Sequence, residues 1–215
     1  VGTLNNYYVV NVAGNTTIDG ISVWQVGDWI IYNGTVWERI DGGAYGTVSQ
    51  VSGNGSVNGV TLTGNVTTTG NQTYNDAMVL TGNVVLNAPA VTTASTIAAG
   101  SYNLTITTDA ISLGSNLTGT GTLVIQPKTA STTVAVGSSA AGTLALSDTA
   151  LTYINDHFSS ITIGSTSGTS ALTVDYSAAS FTFSNPLVLR SGTGNITAID
   201  TLRAGTNSLT VNTGG

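Results

Sequence analysis

Short apolar pairs that keep returning between Leu117 and Val174 constrain the fold of this chain more than any other feature. Leu123 and Ile125, Leu144 and Leu146, Ile161 and Ile163, and Leu172 and Val174 each flank one residue and are separated by Gly, Ser and Thr. Alternation of this kind marks a β-strand with one buried face. The phrases Asn103-Leu104-Thr105-Ile106, Thr122-Leu123-Val124-Ile125, Thr143-Leu144-Ala145-Leu146 and Ser160-Ile161-Thr162-Ile163 recur roughly every 17 to 21 residues, the spacing of coils in a solenoid. One coil cannot bury its aliphatic side chains alone, so each must lie on its predecessor. About seven coils at the strand spacing of about 4.8 Å would make a rod on the order of 35 Å long.

The echo reaches upstream, because Leu80-Thr81-Gly82-Asn83-Val84 repeats Leu62-Thr63-Gly64-Asn65-Val66, and Leu117-Thr118-Gly119 begins the phrase again. Ser147 to Phe158 breaks the rhythm. There Leu151, Ile154 and Phe158 fit one helical face, with Ser147 as N-cap. The expected fold is therefore all-β: an aromatic-rich β-hairpin module in residues 1–45, connecting strands in 46–75, and a parallel β-solenoid (β-helix) in 76–215, with one short helix near 148–157.

Composition removes several functional classes. Charged residues are 7% of the chain, with 4 basic against 10 acidic side chains and a net charge of -6. Arg39, Lys128, Arg190 and Arg203 are too few and too scattered to neutralise a run of phosphates, so no nucleic-acid partner is expected. The hydrophobic fraction of 40% argues for a folded chain rather than a disordered one. With no cysteine there is no disulfide and no thiol chemistry, so ladders and stacked aliphatics must hold the fold. No apolar run has the length of a membrane span, and no membrane insertion is expected. Residue 1 is valine, no basic-then-apolar leader opens the chain, and Ser208-Leu209-Thr210-Val211 is still in strand rhythm, so a processed chain or a piece of a longer one is expected.

All three tryptophans, Trp24, Trp29 and Trp37, lie in the first module with Tyr7, Tyr8, Tyr32 and Tyr45. Asn33-Gly34 between two β-rich runs predicts a type I′ hairpin. That turn pairs Tyr32 with Thr35, Ile31 with Val36, Ile30 with Trp37, Trp29 with Glu38 and Asp28 with Arg39. One face then carries Trp29, Ile31 and Val36. The other carries Ile30, Tyr32 and Trp37, with Asp28 and Arg39 as a cross-strand ion pair. Apolar residues on both faces predict cover on both sides.

Tyr8-Val9-Val10, Thr17-Ile18-Asp19-Gly20-Ile21, and Trp24-Gln25-Val26-Gly27-Asp28-Trp29 followed by Asn33-Gly34-Thr35-Val36-Trp37 together resemble a small module of bacteriophage tail-fibre proteins. The same pattern is similar to small aromatic-rich carbohydrate-binding modules. Trp24, Trp29, Tyr32 and Trp37 are the candidate ligand contacts, by ring stacking on sugars. The blander reading, that the three tryptophans are simply the core of a module too small to have another, carries more weight.

In the next stretch Thr47–Val51 and Val57–Val66 alternate at period 2 around a Ser52–Ser56 turn. Its glycines are no phosphate cradle, since neither Lys-Ser/Thr nor a helix follows. The string from Val57 to Gly70 resembles connecting segments of phage fibres. Thr122-Leu123-Val124-Ile125-Gln126-Pro127, Leu144-Ala145-Leu146-Ser147 and Phe158-Ser159-Ser160-Ile161-Thr162-Ile163-Gly164 resemble the β-helical repeats of filamentous-haemagglutinin-type exoproteins. That resemblance implies a right-handed parallel solenoid, extracellular, used as a stalk or adhesive shaft. It implies no ligand.

Catalytic groups are sparse. His157 is the only histidine, beside Asp156, and reads as a surface turn residue; no zinc site or triad can be assembled around it. Asp76, Asp109, Asp148, Asp156, Asp175 and Asp200 stand singly, without calcium-loop spacing. A glycosidase needs two facing carboxylates, which only coil stacking could bring together. Asn15-Thr16-Thr17, Asn103-Leu104-Thr105 and Asn195-Ile196-Thr197 match the glycosylation pattern, as chance predicts in a chain this rich in Asn and Thr.

The sequence thus predicts a non-enzymatic extracellular fibre protein without cofactor or metal. A phage tail-fibre segment is the first reading, a secreted bacterial adhesin of the filamentous-haemagglutinin type the second, and a stalked carbohydrate-binding module the third. Expected partners are further copies of the chain, as a trimer or filament, and cell-surface glycans. Low charge leaves little repulsion between copies.

Overall fold

A computed structural model describes residues 7–24, 26, 28–40, 59–154, 158–177 and 180–214. The chain divides into two compact units, Val1–Thr47 and Val48–Gly215. Tyr45, the Thr47–Val51 run, the Ser52–Ser56 turn, Asp156 and His157 lie outside the described residues.

The first unit holds a three-stranded antiparallel sheet, β1 (Tyr7–Val9), β2 (Trp29–Tyr32) and β3 (Trp37–Ile40), in that order. The hairpin is not the expected two-residue turn. Tyr32 pairs with Trp37, Ile31 with Glu38, Ile30 with Arg39 and Trp29 with Ile40, so the loop is Asn33–Val36. Asn33 causes the change: its Oδ1 accepts from the N–H groups of Thr35 at 2.9 Å and Val36 at 3.0 Å, which draws both out of the strand. Because the register moves by an even step, facing is preserved. Trp29 and Ile31 still share one face; Ile30, Tyr32 and Trp37 share the other.

The Arg39 guanidinium stands 4.0 Å from the Asp28 carboxylate, diagonally rather than directly across. Among the described residues, cover on both sides is not found. Ile30 is buried, whereas Trp29 on the opposite face is 41% exposed.

The second unit is a parallel β-solenoid. Its first turn comprises β4 (Val60–Leu62), β5 (Val66–Thr67) and β6 (Gln72–Tyr74), so the parallel ladder starts inside the stretch expected to be connecting strands. The second turn is β7 (Met78–Leu80), β8 (Val84–Asn87) and β9 (Ala90–Thr93), and the third is β10 (Ile97–Gly100), β11 (Leu104–Thr107) and β12 (Ala110–Leu113). Then come β13 (Leu117–Gly119), β14 (Thr122–Gln126), β15 (Val134–Val136), β16 (Leu144–Leu146) and α1 (Asp148–Ile154). The chain continues through β17 (Ser160–Ser165), β18 (Leu172–Val174), β19 (Ser180–Thr182), β20 (Leu187–Ser191), β21 (Ile196–Ala198), β22 (Thr201–Arg203) and β23 (Leu209–Thr213). One seven-stranded sheet, β5-β8-β11-β14-β17-β20-β23, runs through every turn.

Along that sheet Leu104, Leu123, Ile161 and Leu187 lie in parallel register, as do Ile106, Ile125, Ile163 and Leu189. All eight are at most 1% exposed. Each such side chain contributes about 1.5–3 kcal/mol by leaving water. Outward positions between them, such as Thr105 and Val124, are partly exposed.

The repeated Leu-Thr-Gly-Asn-Val phrase is the corner before this sheet. Asn65 Oδ1 accepts from the Val85 N–H and Asn83 Oδ1 from the Asn103 N–H, both at 2.9 Å, so each asparagine is bonded to the next turn. Asn103 does the same for the Thr122 N–H at 2.9 Å. The corner glycine lets the backbones touch: a Cβ on Gly82 would lie 2.5 Å from the Thr63 carbonyl oxygen.

The repeat breaks after β14. Leu144 and Leu146 were expected as one more coil on Leu123 and Ile125, but Ile161 and Ile163 occupy that place. β16 pairs instead with β15, Val134 beside Leu144, on the β16-β15-β18-β21 wall. Alternation marks β16 as a strand but cannot say on which wall it lies. α1 follows, packed on β12, β13 and β16. Its Ser147 Oγ accepts the Ala150 N–H at 3.1 Å, the expected N-cap. Leu151 and Ile154 are buried in it, and Phe158 is buried beyond its end.

Candidate functional site

The candidate site is the aromatic sheet of the first unit. Strand β1 brings Tyr7 opposite Ile31 and Tyr8 opposite Ile30, so the two tyrosines fall on opposite faces. On one face the Tyr7 and Trp29 rings stack, with centroids 5.3 Å apart and planes inclined 19°. Tyr7 is 59% exposed, so this pair presents flat π surface to solvent. On the other face Trp37 is the hub: Tyr8 lies 5.6 Å from it and Tyr32 5.2 Å, both tilted. Stacked and tilted rings of this kind gain about 0.5–1.5 kcal/mol beyond area burial.

The four candidate contacts therefore separate. Trp29 lies on the open face. Tyr32 and Trp37 are half-buried together on the second. Trp24 belongs to neither: it is buried, its Nε1–H donates to the Thr16 carbonyl at 2.7 Å, and it lines the floor of a small open recess with Val10, Val12, Ile18 and Ile30. Trp24 is core. Tyr7 and Tyr8 were missed because pairing of β1 with β2 across some twenty intervening residues has no local signal.

Polar groups around the rings are fixed. Asn33 Nδ2 donates to Glu38 Oε1 at 2.6 Å, the Trp37 N–H to Asp19 Oδ2 at 2.7 Å, and the Arg39 guanidinium to the Val23 carbonyl at 2.6 Å. Such a surface can stack on the C–H face of a pyranose.

In the solenoid the carboxylates of Asp109, Asp148 and Asp200 accept backbone N–H groups. Burial pushes the Asp109 carboxyl up, but hydrogen bonds from the Thr129 hydroxyl and N–H, from Thr132 and from the Lys128 N–H outweigh it and hold the group below the usual carboxylate value. Asp148 is likewise raised by burial and lowered further by Ser177 and Ser138, with a net fall. Its carboxylate accepts the Ser138 N–H at 2.8 Å and the Ser177 N–H at 2.9 Å, tying α1 to two loops. Asp175 is raised, by desolvation and then by the neighbouring Asp200. Burial lifts Tyr74 to about 12. The Tyr176 hydroxyl is raised too, by burial and then by Asp148 and Asp200.

A recess of about 280 Å³ opens between β12 and β16, lined by Ile111, Leu113, Ser138, Ala145, Ser147 and Ala150 among others, with no charged side chain in its wall. Among the described residues no three His, Cys, Asp or Glu side chains gather as metal ligands. No protein-family model matches the chain, and neither a curated protein nor a solved structure is similar to it.

Proposed function

We propose that this chain is a non-enzymatic structural segment of an extracellular fibre, in a phage tail fibre or virion fibre in the first instance. The observation that carries the reading is the seven-stranded parallel ladder with its two unbroken aliphatic stacks. Such a ladder resists bending through backbone hydrogen bonds and buried side chains alone, which suits a cysteine-free shaft. The Thr-, Ser- and Asn-rich outer face with few charges supports close packing against further copies of the chain. A cell-surface adhesin of the filamentous-haemagglutinin type is the competing setting for the same shaft. Immunogold labelling with antibody against residues 59–214 tests it. Label along virion fibres supports the first setting, label on the bacterial surface replaces it with the second, and label confined to the cell interior overturns both.

A second reading, a carbohydrate-binding module on a stalk, is favoured by the exposed Tyr7–Trp29 stack. Here Trp29 and Tyr7 would carry the contact, with Trp37 and Tyr32 on the opposite face. Tryptophan emission that stays unchanged across a panel of cell-surface glycans would remove it. A response abolished by Trp29→Ala and kept by Trp37→Ala would support it.

A further inference from the structure

The loop that joins β2 to β3 grips one side-chain amide at both ends. Asn33 is followed by Gly34, and all four loop residues, Asn33–Val36, are exposed. The Asn33 Oδ1 accepts two backbone N–H groups at once, from Thr35 at 2.9 Å and from Val36 at 3.0 Å. Its Nδ2 donates to Glu38 Oε1 at 2.6 Å. The Gly34 N–H beside this amide makes no hydrogen bond among the described residues. Gly34 has no Cβ to shield its nitrogen, and its φ is 100°.

Two N–H groups within about 3 Å of one oxygen are the arrangement that stabilises negative charge developing on that oxygen. On an amide oxygen such charge develops when a nucleophile adds to the carbonyl carbon. The nucleophile nearest along the chain is the Gly34 nitrogen, and its attack on Asn33 Cγ closes a cyclic imide.

We infer that Asn33 is a self-modifying site: the Gly34 nitrogen converts its side-chain amide to a carboxylate, with the Thr35 and Val36 N–H groups as the oxyanion hole. The Gly34 nitrogen gives up its proton as the N–Cγ bond forms, and negative charge settles on Oδ1 between the two donors. As the intermediate collapses the Cγ–Nδ2 bond breaks, and Nδ2 takes up a proton and leaves as ammonia. Water then adds to either carbonyl of the succinimide and opens it to aspartate or isoaspartate. The net change consumes water and releases ammonia.

The product differs from its parent where the sheet feels it. A carboxylate oxygen replaces Nδ2 opposite Glu38, so a 2.6 Å hydrogen bond becomes a like-charge contact. Isoaspartate also routes the main chain through the former side chain and lengthens the loop. Both changes fall on the turn that sets Tyr32 against Trp37. Conversion therefore loosens that aromatic face as the chain ages. It needs no partner, and the fibre reading is untouched by its failure.

Incubating the 215-residue chain at neutral pH, folded and in guanidinium chloride, and quantifying conversion by peptide mapping tests this. The denatured chain sets the intrinsic rate for the Asn-Gly pairs at Asn33, Asn54 and Asn58. In the folded chain Asn33 should convert about tenfold or more faster than in denaturant, less than the roughly 10²–10³ that one such donor gives in a closed active site, because this loop is open to water. Thr35→Pro removes one donor N–H. It should lower the folded rate about tenfold and leave the denatured rate unchanged. A folded chain in which Asn33 converts no faster than in denaturant overturns the proposal, as does an excess that Thr35→Pro, still folded by circular dichroism, leaves in place. If that variant does not fold, the ratio in the unaltered chain decides by itself.

Discussion

The two units solve the same problem, burying one face of a β-sheet, with opposite materials. In the first unit the sheet has three strands, rings do the packing, and Trp29 and Tyr7 remain open to solvent. In the solenoid the sheet has seven strands, aliphatic side chains do the packing, and Leu104, Leu123 and Ile161 have no exposed surface. A small sheet lacks neighbours, so large rings must fill its core and some are left over. A repeating sheet supplies each inward side chain with an aliphatic neighbour above and below. Stability in the solenoid should therefore be cooperative along the stack, while in the module it is local.

The largest effect should separate the units most cleanly. Leu123→Ala opens a cavity between two turns and should cost about 2–5 kcal/mol of solenoid stability in urea unfolding. Trp29→Ala, at an exposed ring, should fall within about 1.5 kcal/mol, the range of a ring-pair contact. Equal losses would break the comparison.

Next comes the corner. A Cβ at Gly82 would lie 2.5 Å from the Thr63 carbonyl oxygen, whereas one at Gly64, the same repeat position a turn earlier, meets nothing within 4 Å. Gly82→Ala should cost about 1–3 kcal/mol as the two turns are forced apart, and Gly64→Ala should lose nothing. Thermal unfolding of both variants checks this.

The asparagine ladder is weaker. Asn83→Ala leaves the Asn103 N–H without its 2.9 Å acceptor and should cost about 1 kcal/mol, read in the same unfolding experiment.

The smallest effect is acid sensitivity. Asp109 and Asp148 are held below the ordinary carboxylate value in the fold. Their contribution is present above the unfolded-state pKa, about 3.9, and is lost as pH falls through the lower folded values. Asp175, raised, works with the opposite sign: its protonation on acidification relieves repulsion from Asp200. Asp109→Asn should flatten the decline of solenoid stability below about pH 4, and Asp175→Asn should steepen it. The module should show neither change.

Much of the solenoid was legible because its signal repeats. Alternation at Leu104, Leu123 and Ile161 with a roughly constant interval identifies stacked parallel strands, and Ser147 with Leu151 and Ile154 marks the helix. What failed was local in a different sense. The Asn33 side chain, by accepting two backbone N–H groups, lengthened the hairpin loop in a way the Asn-Gly signal does not encode. Of the candidate ligand contacts, composition could not tell Trp24, which is core, from Trp29, which is open; both are tryptophans in a β-rich run.

Sequence by itself determined the class of fold, the direction of stacking and the absence of disulfides, because period, interval and residue type are local properties that repetition amplifies. Tertiary structure alone decided that β16 joins a different wall from Leu123 and Ile161 and that Tyr7 stacks on Trp29. Each of these depends on which distant strand lies alongside, and a pairing partner is chosen by the whole packed chain rather than by the residues that make the strand.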